Sequence, residues 1–212
     1  HSVLFAGVPF GSSIGFLEDM HAGTATGFNN RILSPQVLFT FAAPYSLFPL
    51  DPAEPVLVDR EGDIIPHDLY SADDWERQKL GIFAMSGRGA ISSEERAHLR
   101  NALRQAGEFR SLLVCSSKKP MVYPPIAVLT SDAHQTLSAV VKNGRWAVRG
   151  WCFEEAPKEQ GDGRVSSVSA LPPSGVPHVV YKTEREHGYL LNDIDLVSTI
   201  LTHLCITLLI VT

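Results

Sequence analysis

Short, continuous apolar runs alternate along this sequence with segments of helical periodicity. The runs at residues 3–8, 126–131 and 176–183 carry almost no charge. Strands of this composition are typical of parallel sheets, because such strands are covered on both faces. Since helical segments separate the runs, the sequence predicts an α/β fold with a mostly parallel sheet.

The clearest helical segment lies at residues 91–113. Ser92 or Ser93 is a suitable N-cap, and two glutamates follow in the first turn. Its apolar residues form one stripe, made of Leu99, Leu103, Ala106, Phe109 and Leu113. Shorter helices are predicted at residues 15–23, after Ser34-Pro35 and near residues 71–80.

Two other segments carry weaker signals. Residues 137–141 and 146–151 flank the turn-forming sequence Lys142-Asn143-Gly144-Arg145, which predicts a β-hairpin. The uncharged run from Leu196 to Thr212 is at the short limit for a membrane span. A packed amphipathic helix is favoured instead, because apolar residues recur at helical spacing from residue 190 onward: Leu190, Ile194, Val197, Leu201 and Leu204.

Composition narrows the class of protein. Hydrophobic residues make up 44% and charged residues 19% of the chain, which indicates a packed domain rather than a disordered one. The net charge is −5 and no basic stripe is present, so binding to nucleic acid has little support. Cys115, Cys152 and Cys205 show no CxxC spacing, so neither a zinc site nor a disulfide framework is indicated. The glycine-rich motifs of nucleotide-binding domains are absent from the sequence.

Asp162 and His187 are the two ionisable residues that suggest chemistry, since each lies in a loop near a predicted strand. Asp162 stands between two glycines, in a turn that lets a carboxylate accept hydrogen bonds. An acid followed by a histidine is the chain order of hydrolases that use a serine, an acid and a histidine. The carboxylate fixes the imidazole tautomer, and the neutral ring then takes the proton of a serine hydroxyl.

Several short stretches strengthen this interpretation. Gly7-Val8-Pro9-Phe10-Gly11 looks like a Gly-Thr-Pro-aromatic-Gly turn, and Gly161-Asp162-Gly163-Arg164-Val165 looks like Gly-Asp-Gly-Thr-Val, which carries a catalytic acid. Between them lie Phe16-Leu17-Glu18-Asp19-Met20, Gly23-Thr24-Ala25-Thr26-Gly27, Leu33-Ser34-Pro35, Ala43-Pro44-Tyr45-Ser46-Leu47-Phe48-Pro49 and Asp74-Trp75. Together, and in this order, these stretches resemble the lecithin:cholesterol acyltransferase family over residues 3–204. Val8 and Arg164 depart from the family pattern, which has threonine at both positions.

The resemblance implies a partial α/β-hydrolase fold with a mostly parallel sheet and a large helical lid insertion. Residues 1–14 and 122–204 would form the C-terminal part of the core, and residues 15–121 the lid. Residues 205–212 are an apolar tail that fits no pattern. The implied function is that of a lipase or O-acyltransferase acting on lipid acyl esters through a Ser-His-Asp triad.

In that triad, the resemblance implies that His187 is the base and that Asp162 orients it. No metal ion and no organic cofactor is implied. The expected partner is a lipid or another ester substrate, and contact with a lipid surface is compatible with this function.

The nucleophile, the acid and the activity itself each have an alternative. The family's serine turn precedes the strand at residues 3–8, so we expect it before His1, in a longer protein. Gly11-Ser12-Ser13-Ile14-Gly15 matches G-x-S-x-G, which makes Ser13 an alternative nucleophile. Asp132, at the end of the run 126–131, is the alternative acid. A non-catalytic remnant that binds a partner is the alternative function.

Overall fold

The chain folds into two compact units. The computed structural model describes residues 1–26, 29–85, 90–113 and 122–211. Unit 1 comprises His1–Ser13, Leu113–Thr136 and Lys158–Thr212, and unit 2 comprises Ile14–Leu112 and Leu137–Pro157. Cys115, Thr212 and the parts of the predicted lid at residues 27–28, 86–89 and 114–121 lie outside the described residues.

Both units combine strands and helices. The strands are β1 (Val3–Ala6), β2 (Thr24–Thr26), β3 (Asn29–Leu33), β4 (Leu57–Val58), β5 (Ile126–Thr130), β6 (His134–Leu137), β7 (Val140–Lys142), β8 (Trp151–Cys152), β9 (Lys158–Gly161) and β10 (Val179–Lys182). The α-helices are α1 (Gly15–Ala22), α2 (Pro35–Phe39), α3 (Ala72–Arg77), α4 (Ser93–Leu112) and α5 (Ile194–Val211). Short 3-10 helices occupy Ala43–Leu47, Gly81–Ala84 and His187–Asn192.

A parallel sheet is the centre of unit 1. β5 lies between β1 and β10, and both neighbours run parallel to it. Every residue of β5 is buried, as its apolar sequence predicts. On one face of the sheet, Ala127 and Leu129 pack with Leu190 and with Ile200 and Leu204 of α5. The predicted α/β class, with a mostly parallel sheet, is therefore confirmed.

The direction of the strands determines where the loops of unit 1 meet. Because both pairings are parallel, the carboxyl ends of β1, β5 and β10 lie at one edge of the sheet. Gly7, Ser131 and Thr183 are the first residues after these three strands. β9, which pairs with β6, ends immediately before Asp162.

Unit 2 has a separate core with aromatic residues at its centre. Trp75 and Trp151 are both 1% exposed, and their indole N–H groups donate to the carbonyl oxygens of Leu69 and Gln78. The ring of Tyr45 meets the ring of Trp75 edge-on, with 5.5 Å between the centroids. Each buried indole therefore has its hydrogen bond satisfied, which is what a stable buried tryptophan requires.

The helix α4 follows its sequence signals closely. The Ser92 hydroxyl accepts from the N–H of Glu95, and the Glu95 carboxylate accepts from the N–H of Ser92. This reciprocal pair is a capping box, and it caps the N-terminus of α4, as the serines predict. Leu99 and Leu103 of the apolar stripe are fully buried, whereas Phe109 is half exposed.

The predicted hairpin is shorter than expected. Its second strand is Trp151–Cys152 rather than residues 146–151, and it pairs with β7. Asn143 and Arg149 have φ angles of 54° and 50°, and Gly150 has a φ angle of 96°. These left-handed residues turn the backbone again before Trp151, so that the loop is wider than the one predicted.

Two other boundaries differ from the sequence-based expectation. Residues 137–157, which we assigned to the core, belong to unit 2, where Trp151 and Phe153 are buried. The tail at residues 205–211 continues helix α5. Within the described ranges, no helix combines the length and the apolar character that crossing a membrane requires.

Candidate active site

The acid loop places a carboxylate in the interior of unit 1. Asp162 follows β9 and is 0% exposed. Its Oδ1 atom accepts hydrogen bonds from the backbone N–H groups of Arg164, at 2.9 Å, and Val165, at 2.7 Å. Its own N–H donates to the carbonyl oxygen of Val165 at 3.0 Å. The Gly-Asp-Gly turn therefore wraps its backbone donors around the carboxylate, as the sequence suggested.

His187 bonds to Asp162 through both its backbone and its ring. It begins the 3-10 helix His187–Asn192, after β10. Its N–H donates to the carbonyl oxygen of Asp162 at 2.8 Å, and its Nδ1 atom lies 2.9 Å from Asp162 Oδ2. The carboxylate can only accept, so Nδ1 carries the proton and Nε2 of the neutral ring is left as an acceptor. The loop that carries Asp162 and the loop that carries His187 therefore meet.

The exposure of the two side chains suits different roles. The Asp162 side chain is 0% exposed, whereas the His187 side chain is 39% exposed. A buried acceptor that holds a partly exposed imidazole is the arrangement in which the ring exchanges protons while the carboxylate stays in place.

The electrostatics of Asp162 favour its ionised form. Burial is the largest single influence on this carboxyl and would by itself raise its pKa. Hydrogen bonds from His187, Val165 and Arg164 act in the opposite direction, and the net result is a pKa below the usual value. Asp162 is therefore a carboxylate at neutral pH, as the residue that fixes an imidazole must be.

Gly7 lies against the imidazole ring of His187. It follows β1, its N–H donates to the carbonyl oxygen of Leu129 at 3.0 Å, and its φ angle is 61°. A Cβ atom at this position would lie 2.9 Å from His187 Nδ1 and 2.7 Å from Leu190 Cδ1. The ring thus lies directly against bare backbone, which only glycine allows here.

The loop that carries His187 is anchored to the sheet and to α5. Thr183 donates its N–H to the carbonyl oxygen of Thr130 at 3.0 Å, and its hydroxyl donates to Asp193 Oδ2 at 2.6 Å. That hydroxyl is the main reason why the pKa of Asp193 is lowered. Asp193 Oδ1 also accepts from the N–H of Leu196, at 3.3 Å, in the first turn of α5. The loop therefore has fixed points on both sides of His187.

The alternative site residues have other partners. The carboxylate of Asp132 pairs with Lys182 Nζ at 2.6 Å, and this bond lowers the pKa of Asp132. The Ser13 hydroxyl is buried and donates to the carbonyl oxygen of Arg164 at 2.7 Å. Neither residue is bonded to His187. Of the candidates taken from the sequence, the structure brings together Asp162 and His187.

Sequence reasoning missed the residues that support the pair. Thr136 accepts a hydrogen bond from the N–H of Gly163 at 2.9 Å, and Ser13 holds the Arg164–Val165 peptide group of the same loop. A hydroxyl that supports a loop has no local sequence signature, so no pattern could have identified Thr136. The described residues contain no cluster of three or more histidine, cysteine, aspartate or glutamate side chains placed to hold a metal ion.

Comparison of this chain with known protein families and with curated proteins found no match. The geometry of Asp162 and His187 is therefore the basis for a functional proposal.

Proposed function

We propose that Asp162 and His187 are the acid and the base of a Ser-His-Asp site that cleaves or transfers lipid acyl esters. The protein would then be a lipase or an O-acyltransferase resembling the lecithin:cholesterol acyltransferase family. The observation that carries the proposal is the contact between a buried carboxylate and a partly exposed imidazole, with 2.9 Å between Asp162 Oδ2 and His187 Nδ1. The Gly-Asp-Gly turn and the later histidine also occur in the order that the family has.

In the proposed reaction, His187 Nε2 takes the proton of a serine hydroxyl while the serine oxygen bonds to the ester carbonyl carbon. His187 then returns the proton to the leaving alkoxide, and the carbon–oxygen bond of the ester breaks to give an acyl-serine. Water or an alcohol repeats these steps in the second half. Asp162 stays ionised throughout, because its backbone donors stabilise the carboxylate.

We assign no serine of this sequence as the nucleophile. Ser13, in the G-x-S-x-G match, is 2% exposed and donates its proton to the carbonyl oxygen of Arg164. A nucleophilic serine needs its proton directed at the base. A labelling experiment is therefore needed to identify the nucleophile.

The finer features of the fold belong to the same proposal. The sheet of β1, β5 and β10, with loops at its carboxyl edge, would be part of an α/β-hydrolase sheet. Unit 2 contains most of the segment that the resemblance identifies as the lid insertion. Its buried aromatic core supports a folded insertion rather than a loose loop.

One observation favours a second candidate function. Within the described part of the chain, no serine hydroxyl is bonded to His187, whose ring bonds to Asp162. A chain that kept the pair and lost the nucleophile would be a non-catalytic module that binds a lipid or a protein partner, because the members of a triad act together.

Labelling with a fluorophosphonate probe separates the two functions, because the probe reacts with serines that a histidine activates. The protein is tested as the 212-residue chain and also with any sequence that its gene encodes before His1. The proposal expects one labelled serine, and a labelling rate roughly 10⁴-fold to 10⁶-fold lower in His187→Gln, which is the range for loss of a triad member. His134→Gln is the matched control, since the ring of His134 bonds to a backbone carbonyl oxygen, that of Glu184, and not to Asp162.

Three outcomes would count against the proposal as stated. Labelling of Ser13 would show that Ser13 is the nucleophile, contrary to our assignment. Labelling that His187→Gln leaves unchanged would exclude His187 as the base. The absence of any labelling, in either form of the protein, would support the non-catalytic module.

A further inference from the structure

Two buried hydroxyl groups hold the acid loop. Ser13 Oγ donates to the carbonyl oxygen of Arg164 at 2.7 Å, and Thr136 Oγ1 accepts from the N–H of Gly163 at 2.9 Å. Ser13 and Thr136 are each 2% exposed. Water therefore does not compete for these bonds, and each hydroxyl has a fixed partner.

Each hydroxyl holds one end of a peptide group whose other end binds the Asp162–His187 pair. The carbonyl of Arg164 and the N–H of Val165 belong to one peptide group. Ser13 bonds to that carbonyl, and the N–H donates to Asp162 Oδ1 at 2.7 Å. Fixing the carbonyl end fixes the direction of the N–H, because the peptide group is planar.

The second peptide group repeats this arrangement. It joins Asp162 to Gly163, and its N–H bonds to Thr136. Its carbonyl oxygen, that of Asp162, accepts the N–H of His187 at 2.8 Å. A hydrogen bond at one end of an amide also strengthens the bond at the other end, since such chains polarise each other.

The loop leaves little room around Thr136. A Cβ atom on Gly161 would lie 2.4 Å from Thr136 Oγ1 and 2.4 Å from the carbonyl oxygen of Val165. The backbone of the loop is thus pressed against the hydroxyl. A longer side chain at Gly161 would displace one or the other.

We propose that Ser13 and Thr136 are positioning residues: each holds one peptide group of the acid loop, and together they keep Asp162 in register with His187. The catalytic meaning of this arrangement rests on the proposed function, whereas the positioning itself is a property of the chain. Ser13 thereby has a role that differs from that of a nucleophile.

Exchange of the His187 Nδ1 proton with water, followed by NMR, tests this positioning without any substrate. A proton held by Asp162 exchanges slowly, and loosening of the loop makes it exchange faster. Ser13→Ala and Thr136→Val are each expected to raise the exchange rate roughly fivefold to tenfold, as the loss of one net hydrogen bond would. Thr136→Ser keeps the hydroxyl and should exchange like the parent protein.

Ser131→Ala is the matched control. The Ser131 hydroxyl is also buried in unit 1, and it accepts from the N–H of Ala133 rather than from the acid loop. Its loss should leave the exchange rate unchanged. Should Ser13→Ala fail to fold, Ser13→Cys keeps a weak donor of similar shape and should give a smaller increase in the rate.

The possible failures can be distinguished. If the parent protein shows no protected His187 Nδ1 proton, the Asp162–His187 pair is absent and the proposed function fails with it. If that proton is protected and neither Ser13→Ala nor Thr136→Val alters its exchange, the pair stands and the positioning role is wrong. An equal effect of Ser131→Ala would also overturn the positioning role, because it would indicate general loosening of unit 1.

Discussion

Gly7→Ala is expected to lower the free energy of unfolding of unit 1 and to displace the His187 ring. Gly7 has a φ angle of 61°, and the new Cβ atom would lie 2.9 Å from His187 Nδ1 and 2.7 Å from Leu190 Cδ1. Leu190 is buried in the core of unit 1, so it has little freedom to move away. The easier adjustment is movement of the partly exposed His187 ring, which would break its bond to Asp162.

Two effects set the size of this loss. A left-handed backbone costs alanine roughly 1–2 kcal/mol relative to glycine, and forcing a methyl group into a packed site costs about 1–3 kcal/mol. We therefore expect a total loss of about 2–5 kcal/mol. Gly175→Ala is the matched control, because Gly175 has a φ angle of 92° and nothing within 4 Å of the added Cβ atom. It should show the conformational cost alone.

The assay must report on unit 1. Trp75, Trp146 and Trp151 all belong to unit 2, so tryptophan fluorescence does not follow unit 1 directly. Amide hydrogen exchange of β5, the buried central strand, gives the free energy of unfolding of unit 1. A loss for Gly7→Ala within about 0.5 kcal/mol of that for Gly175→Ala would refute the close approach of Gly7 and His187.

Three further predictions concern pH and packing. Burial is the main cause of the lowered pKa of His21, so the stability that the neutral ring gives to unit 2 should be complete above pH 6.5 and should be lost as the pH falls below it. Tryptophan fluorescence during urea unfolding measures the stability of unit 2 at each pH. An equal loss of stability at low pH in His21→Gln would contradict this prediction. The pKa of Asp162 is also lowered, so unit 1 should lose stability as the pH falls below 3.8, and Asp162→Asn should abolish this component of the acid dependence of β5 amide exchange. Trp75→Ala should lower the free energy of unfolding of unit 2 by about 3–5 kcal/mol, measured by urea unfolding followed by circular dichroism. Trp146, which is 56% exposed, is the control, and Trp146→Ala should lower this free energy much less. Equal losses in the two variants would contradict the assignment of the core.

The parts of the fold that could be predicted are those with a local signal. β5 is a continuous apolar run, and α4 has a serine cap, acidic residues in its first turn and an apolar stripe. The extent of the hairpin could not be predicted, because it depends on a left-handed backbone at Arg149, a residue type that does not favour that conformation. Residues 137–157 have strand signals that suit either unit, and only the burial of Trp151 shows where they pack.

The candidate site likewise has one part that could be predicted from the sequence and one part that could not. Asp162 in its Gly-Asp-Gly turn and the later His187 could be paired from their order in the chain, and the structure brings them to 2.9 Å. The support from Ser13 and Thr136 could not be seen, because each bond joins residues far apart in sequence through an ordinary hydroxyl. Gly7 was recognised as part of a turn, but its position against the His187 ring depends on the packing of β1 beside β5.

The nitrogen chemical shifts of the His187 ring, measured by NMR at a pH where the ring is neutral, test the acid–base pair most directly. The structure predicts a proton on Nδ1 and a free Nε2 in the parent protein, with the opposite tautomer in Asp162→Asn, where an amide N–H can face the ring. A parent ring protonated on Nε2, or a tautomer that Asp162→Asn leaves unchanged, would contradict the role assigned to Asp162 and His187.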